Sequence, residues 1–189
     1  MIEVSAVGPK GAYEWDKLVK ESLHTSFYHL WEWGEVQFST YGYQRYYLVA
    51  KQNGDLTGAF PLIYVKSRLF GNRLISVPFC EYGGPFVRQT LSDEEKEQVI
   101  DKLLSATDRL ATSLDVKYVE IRGASSKVAV DILRNQDYTS FQEYVTFRIN
   151  LTQPVEVLWR NLNKKARNAA RKAMKRGVEV VEAKSVEQL

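Results

Sequence analysis

The chain has 189 residues, room for one generous domain or one domain and part of another. Hydrophobic residues make up 44% and charged residues 26%, a balance that excludes a disordered or collagen-like chain. The longest uncharged runs, such as 56–65, reach ten residues, about half of what a membrane span needs. The first residues, Met1-Ile2-Glu3-Val4, carry no basic patch leading into an apolar stretch, so no signal peptide is visible and the expected location is cytoplasmic. One cysteine excludes an internal disulfide and a cysteine-built zinc cluster. His24 and His29 alone make a histidine-built metal site unexpected, and no metal is assigned.

The net charge of +3 is unevenly spread. Residues 1–156 sum to −3, residues 157–177 to +8 with no acid among them, and residues 178–189 to −2. A mildly acidic body therefore carries one concentrated basic segment.

In chain order, a short strand over 2–4 precedes a helix over 13–22, where Trp15, Leu18, Val19 and Ser22 recur at helical spacing. A second helix is expected over 29–39. Two β-rich runs, 46–50 and 56–65, flank Asn53-Gly54-Asp55 and read as a hairpin. A strand over 74–77 ends at Pro78 and enters the loop Phe79-Cys80-Glu81-Tyr82-Gly83-Gly84-Pro85. Ser92-Asp93-Glu94-Glu95 is a capping signature that opens a helix reaching about Leu114. A strand over 117–122, a helix over 127–135 and a strand over 144–151 follow. Pro154 then starts a helix of about six turns, 154–176, that stops at Gly177. Residues 178–181 read as one more strand. After the first strand the order is α, α, β, β, β, α, β, α, β, which predicts an α/β layer sandwich on a mixed sheet. Ser185 and Gln188 have capping-box spacing, so a further helix is expected to begin there and the sequence reads as the front of a longer protein.

Three segments are candidates for chemistry. On a continuous helix, Arg160, Lys164, Lys165, Arg167, Arg171, Lys172, Lys175 and Arg176 would cover about half the circumference, opposite Leu158, Trp159, Leu162 and a row of alanines. Such a face suits phosphates of RNA, of a nucleotide-linked substrate or of a membrane surface. It equally suits a solvated helix that meets acidic partners, and both readings stand. Gly83-Gly84 permits close backbone approach to a ligand, or simply a tight turn. Neither G-x-G-x-x-G nor G-x-x-x-x-G-K-[ST] is present. In the aromatic run from Phe27 to Trp33, the spacing of Leu30, Trp33 and Val36 predicts a core face, leaving His29 and Trp31 as possible pocket residues. Cys80, without a neighbouring histidine, reads as a buried thiol.

Taken together, Ser26-Phe27-Tyr28-His29-Leu30-Trp31-Glu32-Trp33-Gly34-Glu35-Val36, the loop Cys80-Glu81-Tyr82-Gly83-Gly84-Pro85, and Leu162-Asn163-Lys164-Lys165-Ala166-Arg167-Asn168-Ala169-Ala170-Arg171-Lys172-Ala173 with Arg176-Gly177-Val178-Glu179-Val180 resemble the Fem family of peptidoglycan-bridge aminoacyltransferases and their FemAB-like relatives. The resemblance implies two GNAT-like (acetyltransferase-like) halves, with 1–145 the first domain and 146–189 the opening of a second. It implies transfer of an amino acid from aminoacyl-tRNA, or of an acyl group, to an amine acceptor of cell-wall type. Trp33, Gln37, Tyr82, Gly83 and Gly84 become the candidate cleft residues, and Arg167 and Arg171 the candidate anion contacts. Two departures qualify the match. Gln37 stands where peptidoglycan-type members often carry a lysine that helps hold a phosphorylated precursor, and the R/Q-x-x-G-x-G/A loop of acetyl-CoA-dependent GNAT enzymes is absent. No CoA and no other cofactor is therefore expected. The alternative of a different class is a non-catalytic module that binds nucleic acid or another polyanion through 157–177.

Overall fold

The computed structural model describes residues 1–123, 127–136, 138–141, 149–182 and 184–185. The chain divides into two compact units, Met1–Gln142 and Glu143–Leu189.

Among the described residues, the first unit is built on a six-stranded mixed sheet. Its strands are β1 (Ile2–Val7), β2 (Gln44–Gln52), β3 (Asp55–Val65), β4 (Arg73–Ile75), β5 (Phe86–Val87) and β6 (Tyr118–Glu120). The order is β1-β2-β3-β4-β6, with β5 pairing the other stretch of β3's free edge. All neighbours are antiparallel except β4 and β6, which run parallel, Leu74 opposite Val119. The hairpin between β2 and β3 turns on Asn53 and Gly54, both with positive φ (54° and 89°), as a two-residue turn demands. β5 pairs Gly58 and Ala59, and β4 pairs Ile63 to Val65. Pro61 falls between these two stretches, where a residue without an N–H is tolerated in a central strand. The segment 76–85 leaves the sheet at the end of β4 and re-enters at β5, so both its ends are anchored along β3.

Helices cover both sheet faces. α1 (Ala12–Lys20) and α2 (Trp31–Tyr41) lie on one, α3 (Asp93–Ser113) and α4 (Lys127–Asn135) on the other. The period-2 alternation of β3 feeds two cores: Phe60, Leu62 and Tyr64 meet Ile100, Leu103 and Leu104 of α3, while Ala59 and Ile63 meet Trp15 and Leu18 of α1. Trp15 is wholly buried, stacked 4.4 Å from Tyr47 and edge-on to Trp31 and Phe86. Its indole N–H donates to the His29 carbonyl at 2.6 Å, which fixes the 3-10 turn Phe27–His29 ahead of α2. α3 opens as the sequence predicts: Ser92 Oγ accepts the Glu95 N–H at 3.2 Å and Glu95 returns the bond to the Ser92 N–H at 2.8 Å.

The second unit corrects the expected six-turn helix. It contains α5 (Val155–Asn161) and α6 (Lys164–Lys175), separated by Leu162 in extended conformation (φ −60°, ψ 142°). Asn163 explains the break: its side-chain oxygen accepts the Ala166 N–H at 2.8 Å, so it starts a new helix rather than continuing the old one. Residues 178–181, expected as a strand, pair with no strand among the described residues, and Val180 is fully exposed. A strand needs a neighbour to receive its backbone hydrogen bonds; Val178 N instead donates back to Ala173 O at 3.1 Å, at the end of α6. The strand expected over 144–151 falls mostly outside the described residues, and so does the helix expected after Ser185. Among the described residues no helix is long and apolar enough to cross a membrane.

Candidate active site

The segment 76–85 is held in an unusual shape. Ser76 N donates to Glu120 O at 2.8 Å, Ser76 Oγ accepts the Arg122 N–H at 2.8 Å, and Gly83 N donates to Arg122 O at 3.0 Å. Arg122 is itself paired to Glu120, Nε to Oε1 at 2.6 Å. The loop is thus stitched to the chain leaving β6. Val77 and Phe79, on either side of Pro78, have positive φ (50° and 64°). For a β-branched valine this is a strained state, costing roughly 1–3 kcal/mol, that persists only where the surroundings impose it. Gly83 satisfies a close approach: a Cβ there would sit 2.8 Å from Ser76 O. Cys80 is buried, donating to the carbonyls of Val77 and Tyr82, and burial pushes its thiol up to about 11. It is a structural thiol, as read from the sequence, not a thiolate at neutral pH.

The facing wall comes from the 3-10 turn and α2. Leu30, Trp33 and Val36 do not form the core face; Trp31, Gly34 and Gln37 do, and Val36 is half exposed. The helix approaches β2 through Gly34, whose missing side chain leaves room for the Tyr47 hydroxyl, 2.1 Å from where a Cβ would stand. A face chosen by its smallest residue is invisible to hydrophobic periodicity. Trp31 belongs to the core, with Trp15 and Tyr47. Trp33 is half buried, its ring packed edge-on against Phe27 and Tyr28.

Two contacts join the walls. Gln37, 2% exposed, donates Nε2–H to Pro78 O at 2.7 Å. His29, 1% exposed, accepts the Ser26 N–H on Nδ1 at 3.1 Å and faces Gly84 O with Nε2 at 3.3 Å. Since a carbonyl only accepts, the Nε2–H tautomer is present. Burial lowers the His29 pKa to about 4, against smaller opposing effects of the Gly84 and Ser26 backbone bonds, so the ring is neutral at pH 7. Tyr28 is held above its ordinary pKa by burial and then by the nearby Glu81 carboxylate, so its hydroxyl stays protonated. Of the residues singled out from sequence, Gln37 bonds the loop at Pro78, Gly83, Gly84 and half-buried Tyr82 lie within that loop, and Trp33 stands one turn before Gln37. Tyr28, His29, Ser76 and Val77 complete the site. His29 and Tyr28 were within the aromatic run, but a positive φ at valine leaves no trace in a sequence.

Arg167 and Arg171 lie in the second unit. Arg167 donates Nη1–H to the carbonyls of Arg160 and Leu162, closing the end of α5. The Arg171 guanidinium sits 5.6 Å over the Trp159 ring and is otherwise exposed.

No protein-family model and no curated protein matches the chain. Solved structures do. An aminoglycoside N-acetyltransferase in complex with a CoA-derived bisubstrate analogue aligns with TM-score 0.54 at 12% identity, over 79% of this chain and 99% of its own. A ribosomal-protein-alanine N-acetyltransferase from Brucella melitensis biovar Abortus 2308 aligns with TM-score 0.53 at 12% identity, over 79% and 98%. The chain has the GNAT fold. A transcriptional regulator from Bacillus halodurans C-125 aligns with TM-score 0.57 at 6% identity, over 79% and 100%, so the fold alone does not name a reaction.

Neighbours of this fold include complexes with CoA, whose pyrophosphate would seek a helix N-terminus with open amides. The helix after the loop, α3, is closed by its own Ser92–Glu95 box and carries Asp93, Glu94 and Glu95 on its first turn. Three carboxylates repel a pyrophosphate. These residues do not fit CoA at that end.

Proposed function

We propose that this GNAT-fold unit is the acceptor-side half of a FemAB-like acyl- or aminoacyltransferase, with 146–189 opening a second domain of the same kind. The observation that carries the reading is the strained turn at Val77-Pro78-Phe79, locked onto α2 by Gln37, onto β6 by Ser76 and onto the chain leaving β6 by Gly83. Strain held by that many contacts is what a preorganised binding wall requires. The fold and the Fem-like motifs support N-acyl transfer: an amine attacks an ester carbonyl, the amide bond forms, and the ester oxygen leaves as an alcohol. Positioning and stabilisation of the carbonyl oxygen supply most of such a reaction's acceleration. In this reading Trp33, Gln37, Tyr82, Gly83 and Gly84 line the acceptor cleft, and Arg167 and Arg171 contact an anionic substrate such as aminoacyl-tRNA.

The test is a binding titration of the protein with charged tRNA, uncharged tRNA and acetyl-CoA at two salt concentrations. Preference for charged tRNA is expected; binding of acetyl-CoA alone would overturn aminoacyl transfer. A second reading is favoured by eight cations without an acid over 157–177. In it the segment is a polyanion-binding surface, and both tRNAs bind equally with steep salt dependence.

A further inference from the structure

Two polar atoms in the site have no use in the fold. Among the described residues, Trp33 Nε1 and Gln37 Oε1 are buried with no hydrogen-bond partner. The Gln37 amide orientation is settled by its neighbour: Pro78 O can only accept, so nitrogen faces it and Oε1 is directed elsewhere. A buried donor and a buried acceptor left unpaired are each costly, and native folds retain them where something else pairs with them. Residues 33 and 37 are one helical turn apart on α2, about 40° apart around its axis and about 6 Å apart along it. Side chains one turn apart can reach a common group, and a donor beside an acceptor complements a group that offers an acceptor and a donor in return.

The surroundings select against charge. Two of the guanidinium groups on the flanking segments are paired, Arg45 to Glu35 at 2.7 Å and Arg122 to Glu120 at 2.6 Å, and Arg73 of β4 donates to the Tyr118 hydroxyl at 3.0 Å. Glu81 lies close enough to act on Tyr28, whose hydroxyl is un-ionised, and His29 is neutral. An incoming carboxylate or phosphate would meet the Gln37 oxygen and the field of Glu81, and would lose its hydration to reach them.

We propose that Trp33 and Gln37 form a recognition pair for a secondary amide, the indole N–H donating to its carbonyl and Gln37 Oε1 accepting its N–H. The ligand class is a neutral peptide or N-acyl group, not a phosphorylated one. The inference rests on the acceptor-cleft reading for its place, and not on the reaction.

The test uses uniformly 15N-labelled protein, with the Trp33 indole resonance assigned by its loss in Trp33→Phe and the Gln37 side-chain amide by its loss in Gln37→Met. The probe is N-acetylalanine methylamide, with inorganic phosphate as the comparison. A saturable downfield shift of the Trp33 indole proton with the amide, and none with phosphate, is expected. Gln37→Met should weaken the amide about fivefold, the worth of one hydrogen bond, while the other three indole signals stay in place. Should that variant unfold, Trp33→Phe, followed on the Gln37 side-chain amide, should show a similar weakening. A response to phosphate but not the amide overturns the proposal. So does silence to both, in which case a cross-peak between the indole proton and a slowly exchanging water identifies a structural water only. Amide binding without acyl transfer would sink the enzyme reading alone, and acyl transfer with unaltered KM in Gln37→Met would sink this inference alone.

Discussion

His29 and Gly84, 55 residues apart in sequence, meet through a hydrogen bond, Nε2 to the carbonyl oxygen at 3.3 Å, and this ties the loop after β4 to the turn before α2. The ring does so as a neutral donor, because burial has removed the water that would stabilise its charge.

That neutrality makes stability depend on pH. The folded-state pKa of His29, about 4, lies below the unfolded value of about 6.5. Between those values the unfolded chain binds a proton that the folded chain does not, so stability falls as pH drops from 6.5 to 4 and is unaffected by this group above 6.5. The full loss is about 3 kcal/mol. Urea unfolding at pH 7.5 and 4.5 measures it. In His29→Gln the part of the difference due to this residue should vanish, and an unchanged difference would reassign the effect to other groups.

Gly34→Ala tests the close approach of α2 to the sheet. Alanine gains about 1 kcal/mol of helix propensity, but its Cβ meets the Tyr47 hydroxyl and the Arg45 Cδ. Tyr47 is 2% exposed and stacked under Trp15, so it has nowhere to move. Overpacking costs about 1–3 kcal/mol, so the melting temperature should fall. A rise would show that α2 can shift outward freely.

Gly83→Ala adds a methyl against backbone, Ser76 O, and against Val77. The loop must move away from the end of β4, which breaks the bond from Gly83 N to Arg122 O. A loss of stability of about 1–2 kcal/mol is expected, together with loss of acyl transfer. If transfer proceeds at the normal rate in a destabilised variant, the loop is scaffold and not cleft.

Arg167 and Arg171 should separate cleanly. Arg167→Ala removes the donor that closes α5 and should lower the helical content of the second unit as well as weaken tRNA binding. Arg171→Ala touches only an exposed ring contact and should leave helicity unchanged while reducing the salt slope of tRNA binding by about one. Equal slopes would show that Arg171 does not reach phosphate.

Local rules account for much of what was legible in the sequence. The Asn53-Gly54 turn, the Ser92 cap and the α4 bounds follow from short-range conformational preference and apolar periodicity, which need no partner to act, and the succession of helix and strand patterns pointed to the mixed sheet. Gly83-Gly84 and Gln37 could be singled out as residues, and the basic segment as a charge excess. The tertiary structure decided the rest. Asn163 caps rather than continues a helix because its side chain finds the Ala166 N–H. The phase of α2 is set by Gly34 meeting Tyr47, a contact between segments that sequence spacing does not relate. The strain at Val77, the neutrality of His29 and the unpaired atoms of Trp33 and Gln37 arise only when the loop is pinned between β6 and α2. Desolvation and enforced backbone geometry belong to the packed chain, and no residue carries them alone.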